Sequence, residues 1–150
     1  MAADYVFLNA EVITVNPRDD IAQAVAVKGN EVCAVGTNEE IRRFAGSETQ
    51  VIDLQGNSLL PGFIDSHLHM LLYGTNQLGV DCKNGVGSIE VGKLADLVAL
   101  DGSMLSSSPE QILSMKPTLT MIDGEIVFES EGDRTPGERS QLAPAAHPAD

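Results

Sequence analysis

Leu60-Pro61-Gly62-Phe63-Ile64-Asp65-Ser66-His67-Leu68-His69 is the stretch on which the reading of this chain turns. Pro61-Gly62 breaks one run of apolar residues and Phe63-Ile64 opens another, so residues 63–70 are expected to form a strand. Side chains two apart on a strand share a face, which lets the imidazoles of His67 and His69 reach a single ion. These two are the candidate metal ligands. Asp65, two and four residues before them, could assist only locally, and the one other histidine, His147, lies far along the chain. The plainer alternative is a pair of exposed or partly packed histidines.

Upstream, the first sixty residues read as short strands with turn signals at close intervals, the pattern of a sandwich or barrel. Runs at 5–8 and 11–15 flank Asn9-Ala10, read as a tight turn. Runs at 24–27 and 31–35 flank Lys28-Gly29-Asn30, where Gly29 can supply the positive φ of a hairpin. Thr37 followed three residues later by Glu40 is a capping box that starts a short helix. Ile41 and Phe44 share one face of that helix and Gly46 ends it. Strands at 50–54 and 58–60 follow, joined by the turn Gln55-Gly56-Asn57.

Downstream, Gly85, Gly87 and Gly92 change the character of the chain, and residues 93–100 read as a buried strand. Gly85-Val86-Gly87 lacks the Gly-Lys-Ser/Thr of a phosphate-binding loop and reads as a turn. A short helical turn is expected at 109–115. Strands at 118–122 and 125–128 sit either side of Asp123-Gly124, a strong hairpin signal. Residues 129–150, rich in Pro, Gly, Ser, Ala and charge, cannot bury enough surface to offset their ordering entropy and are expected to be a disordered tail.

Composition excludes several classes. The 150 residues suit one domain, and 43% hydrophobic content with mean hydropathy near zero is globular. A formal charge of −13 would repel a phosphate backbone or an anionic leaflet, so no nucleic acid and no membrane partner are expected. Buried, reduced thiols are expected at Cys33 and Cys82, with a disulfide between them left open. No basic region followed by an apolar stretch opens the chain, which points to a cytoplasmic protein. No Ser/His/Asp or Cys/His set and no nucleophile elbow is present, so no catalytic or cofactor-binding residue is assigned.

Two segments together resemble the amidohydrolase superfamily, and most its amidohydrolase-3 branch of exoenzyme- and deformylase-like proteins. One leads from Asp53-Leu54-Gln55-Gly56 through Leu60-Pro61-Gly62-Phe63-Ile64-Asp65 to His67-Leu68-His69. The other is Gly87-Ser88-Ile89-Glu90-Val91-Gly92-Lys93-Leu94-Ala95-Asp96-Leu97-Val98. The resemblance implies a metal-dependent hydrolase of carbon–nitrogen bonds other than peptide bonds. Its fold would be a β-sandwich interrupted by a (β/α)₈ barrel that the chain enters through His-x-His. His67 and His69 would be the first two ligands of a divalent zinc, iron or manganese ion, with further ligands from later barrel strands.

A barrel needs about 250 residues, whereas only sixteen, Met70 to Gly85, separate the two segments here. The expectation is therefore a mainly β, composite β-sandwich with one or two short helices and no complete (β/α)₈ barrel. Residues 1–62 form its N-terminal half, 63–85 the remnant of barrel entry, 86–128 its C-terminal half and 129–150 the tail. The resemblance would make such a chain a metal-dependent C–N hydrolase by ancestry that is catalytically incompetent by itself; the alternative reading is a non-catalytic self-associating or binding β-sandwich module. It would hold metal weakly or not at all and take a small-molecule substrate only if a partner completed the site. The apolar residues of 63–80 would be sticky if exposed, so a homo-oligomer through that stretch is expected.

Overall fold

Period-two alternation places the first strand where the sequence puts it. The structure is a computed structural model that describes residues 2–62 and 87–130, and β1 spans Tyr5–Leu8. Its alternation sends Phe7 into one apolar layer and Val6 and Leu8 into another, all three buried. The remaining elements are β2 (Glu11–Ile13), β3 (Ile21–Ala22), β4 (Ala24–Lys28), β5 (Glu31–Gly36), α1 (Asn38–Arg42), β6 (Gln50–Asp53) and β7 (Ser58–Pro61). After the undescribed stretch come β8 (Leu97–Leu100), α2 (Pro109–Ser114), β9 (Pro117–Ile122) and β10 (Glu125–Glu129).

The strands form a four-stranded sheet of order β5-β4-β1-β6 and a six-stranded sheet of order β10-β9-β8-β7-β2-β3. The two sheets enclose a core of Phe7, Val12, Val25, Val27, Leu59, Leu97, Leu119 and Met121 among others. This is a mainly β sandwich with two short helices, and no (β/α)₈ barrel is formed among the described residues. Burying each large side chain of that core contributes roughly 1.5–3 kcal/mol.

Both expected hairpins are present. β4 and β5 pair through Gly29-Asn30, with Gly29 at φ 59. β9 and β10 pair through Asp123 (φ 50) and Gly124 (φ 78), two left-handed residues in succession as a type I′ turn requires. The Thr37–Glu40 capping box forms as read, and a second one, Ser108 with Gln111, starts α2.

Other details differ from the expectation. Asn9-Ala10 does not fold β1 back on β2. Asn9 (φ 52) accepts no hairpin because its N–H donates to Asn38 Oδ1 and its amide to Asp53 Oδ2, both 2.8 Å, and the chain crosses to the other sheet. β2 stops at Ile13 because Thr14 Oγ1 donates to the carbonyl of Asp20 at 2.6 Å and Asn16 Oδ1 accepts from the Arg18 and Asp20 N–H groups. Only residues 97–100 of the run at 93–100 are in β8. Residues 92–95 instead pair with the β4–β5 hairpin: Gly92 N donates to the carbonyl of Val32, Val32 N to that of Lys93, and Ala95 N to that of Asn30. β10 runs one residue past 128, since a shift of register between Ile126 and Phe128 sets Glu129 opposite Leu119.

Pro61 is inside a six-stranded sheet rather than a break. The N–H groups of Ser58 and Gly62 donate to Gly102 and Asp96 on the β8 side, so position 61 turns its nitrogen the other way. There β2 pairs only with Ser58 and Leu59, and the missing donor costs no ladder bond.

Candidate functional site

The pairing of β7 with β8 carries the described chain to Gly62, the last described residue before the histidine pair in sequence. His67 and His69, with Asp65, lie outside the described residues, as do His147, Cys82 and the apolar stretch 63–80. What the structure describes is the frame on either side of them.

On the entry side, Gly62 N donates to the carbonyl of Asp96 at 2.8 Å, and Asp96 Oδ1 accepts from the N–H of Asp123 at 2.8 Å. On the return side, Ile89 N donates to the carbonyl of Thr14 at 2.8 Å, which fixes residues 87–90 beside the end of β2. Gly87 (φ 92) and Gly92 (φ 86) hold left-handed conformations that bound this loop.

Inside it, three polar side chains close on one another. Ser88 Oγ donates to Glu90 Oε2 at 2.6 Å, and Lys93 Nζ reaches Ser88 Oγ at 2.5 Å and Glu90 Oε2 at 2.9 Å. The Ser88 hydroxyl and then the Lys93 ammonium hold the Glu90 carboxyl below the usual carboxylate range. All the groups of this clasp are spent on each other. The Ser-Ile-Glu-x-Gly-Lys pattern thus locks a loop shape before the chain joins the β4–β5 hairpin.

A second polar cluster gave no sign in the sequence. Glu11 accepts from Ser58 Oγ at 2.5 Å, Ser103 Oγ at 2.6 Å and the Leu105 N–H at 3.1 Å. Burial works to raise the Glu11 carboxyl, but the hydrogen bonds from Ser103, Ser58 and Leu105 outweigh it and hold the group below its ordinary value. Its members are 47, 92 and 94 positions from Glu11, so no spacing rule could have found it. It pins the loop after β8 to the start of β2.

Among the described residues no group of three or more His, Cys, Asp or Glu side chains is gathered in a way that could hold a metal ion. Burial pushes the Cys33 thiol up, which suits a packing role rather than a reactive one. No helix among them is long and apolar enough to cross a membrane.

No family model matches the chain. Among curated proteins it is 40% identical over 79 residues to the N-substituted formamide deformylase of Arthrobacter pascens, covering 53% of this chain and 15% of that enzyme. It is 39% identical over 67 residues to the exoenzymes regulatory protein of Pectobacterium carotovorum, covering 45% and 14%. Adenine deaminases and an imidazolonepropionase match as well. Of the solved structures, an uncharacterized metal-dependent hydrolase from Pyrococcus furiosus shares 25% identity over 44% of this chain and 14% of its own, with a TM-score of 0.41. The chain therefore spans 15% or less of the length of the first curated relatives it matches.

Proposed function

We propose that this chain, whose relatives bear out its resemblance to the amidohydrolase superfamily of metal-dependent C–N hydrolases, is by itself a non-catalytic β-sandwich module of that lineage. The observation that carries the reading is the direct pairing of β7 with β8, which closes one sheet and one core with only the 24 residues 63–86 between them. A barrel needs about 250 residues, and the later ligands and substrate loops of such an enzyme would be carried there.

The donor set fits poorly with a resident ion. His67 and His69 offer two imidazoles, which leave a divalent zinc, iron or manganese ion mostly water-bound and without a dry, shaped cavity. No hydrolytic step is derived through such an ion. The histidines are a vestigial or partial site, and a small-molecule substrate enters only if another chain completes it.

Elemental analysis of the purified protein, with hydrolysis assays on N-formyl and amide substrates, tests this reading. The expected result is well under one metal ion per folded chain and no turnover. One tightly held ion per chain, lost in His67→Ala and His69→Ala together with measurable hydrolysis, would overturn it.

A further inference from the structure

Three of the nine large apolar side chains left exposed among the described residues belong to one hairpin: Ile122 at 54%, Val127 at 58% and Phe128 at 46%. The hairpin ends in β10, an edge strand of the six-stranded sheet. The register shift between Ile126 and Phe128 breaks the alternation of this strand, so Val127 and Phe128 are both exposed while Ile126 packs against the core. Phe128 lies opposite Thr120, which puts it on the same face as Ile122. Ile126 lies opposite Met121, one step beyond the Ile122–Glu125 pair that closes the two-residue turn, and so turns its N–H and C=O away from β9.

The other edges offer less. The outer edge of β5 is occupied by residues 92–95, with Gly92 N donating to the Val32 carbonyl and Val32 N to the Lys93 carbonyl. β3 is two residues long. β6 leaves Val51 exposed, but the Asp53 carboxylate beside it is taken up by the Asn9 amide and the Gln55 N–H. An open edge that carries exposed apolar side chains is a template for a further strand, and charge is what keeps wrong partners off it. On β10 the charges are Glu125 and Glu129, which bracket the apolar triplet 126–128. A second copy docked antiparallel, triplet against triplet, would set Glu125 of one chain against Glu129 of the other, on chains of formal charge −13. The cations Arg18, Lys28, Arg43 and Lys93 are paired elsewhere, with Asp20, Asp4, Glu39 and Glu90.

We propose that β10 is a docking edge for an extended segment of another protein, one with a Lys or Arg at each end of an apolar centre that matches residues 126–128. The segment adds antiparallel as a seventh strand. Its backbone bonds the N–H and C=O of Ile126, its apolar residues cover Val127 and Phe128, and its cations face Glu125 and Glu129. Charge complementarity selects this occupant: the two carboxylates that repel a second copy attract a basic partner. The inference builds on the reading of the chain as a non-catalytic module and names its partner. It stands on the strand edge and not on metal content, so the two fail on different measurements.

The probe is the labelled peptide Thr-Lys-Val-Ile-Val-Lys-Thr, with Thr-Glu-Val-Ile-Val-Glu-Thr as its opposite, titrated into the full chain by fluorescence anisotropy. The lysine peptide is expected to bind saturably, about 10-fold or more tighter than the glutamate peptide, and to weaken as salt rises. In a chain carrying Glu125→Lys and Glu129→Lys the order of the two peptides should invert, a result that also shows the variant to be folded. Hydrogen exchange of the Ile126 amide, fast in the free chain, should slow when the lysine peptide is added. Equal binding of the two peptides by the parent chain, or an Ile126 amide unmoved at saturation, would overturn the proposal. Slow exchange of Ile126 without peptide would overturn it too. Slowing that grows with protein concentration would give the edge to a second copy, and slowing at every concentration to the chain's own residues.

Discussion

Two apolar layers of this molecule lie back to back on the four-stranded sheet and differ in what they need from the rest of the chain. The layer under α1 gathers Ala3, Val6, Leu8, Ala24, Ala26 and Ile41, with Cys33, Ala34 and Phe44 at its border, all from the first 44 residues. The layer between the sheets takes Phe7, Val25 and Val27 from the same strands but is completed by Ile89, Leu97, Leu119 and Met121 from beyond residue 86. Adjacent residues of one strand thus serve a local cluster and a long-range one. The first layer draws on the N-terminal piece only, whereas the second is complete only when the two pieces meet.

Substitutions should separate the two. Phe7→Ala, which empties the centre of the inter-sheet layer, is expected to cost about 3–5 kcal/mol. Denaturant unfolding should show the full loss, with β1 and β8 amides losing hydrogen-exchange protection together. Equal protection of β8 before and after the change would break the comparison.

Ile41→Ala, under α1, is expected to cost about 2–4 kcal/mol. Here the loss should be partly local, with α1 amides exchanging faster than those of β8 and β9. A uniform loss across the molecule would merge the two layers into one.

Glu11→Gln is expected to cost about 1–2 kcal/mol through weakened charge-assisted hydrogen bonds from Ser58, Ser103 and Leu105. Its folded carboxyl titrates below the unfolded one, so its stabilisation is complete above the unfolded value and is lost as pH falls through the folded value. Acid titration of stability should be flatter in the variant than in the parent chain; identical acid limbs would remove Glu11 from the fold's support. Thr37→Ala, the smallest change, should cost about 1 kcal/mol and act on α1 alone, read as faster exchange of the Glu40 amide.

Local chemistry was legible in the sequence and long-range pairing was not. Asp123-Gly124, Gly29 and the Thr37–Glu40 box each carry their own geometry within a few residues, and each is where it was expected. The parallel pairings of β1 with β6 and of β2 with β7 left no local mark, because their partners lie more than forty residues apart. β3, two residues long, has no period to detect, and Pro61 looked like a break because its missing donor faces a position with no partner. At the candidate site, the spacing of His67 and His69 was legible as a ligand pattern, but both lie outside the described residues. The Ser88–Glu90–Lys93 clasp lay inside a motif recognised only as a whole, and its reason is the ring of hydrogen bonds that closes the loop.

Native-state hydrogen exchange with residue resolution tests the central claim, that two separate stretches of chain close one sandwich. The slowest amides of β1 and β4 and those of β8 and β9 should open with the same free energy and respond alike to denaturant, as one cooperative unit. Protected amides in residues 2–62 alongside freely exchanging ones at 97–100 and 117–122 would contradict it, leaving the C-terminal stretch an appendage rather than half of the domain.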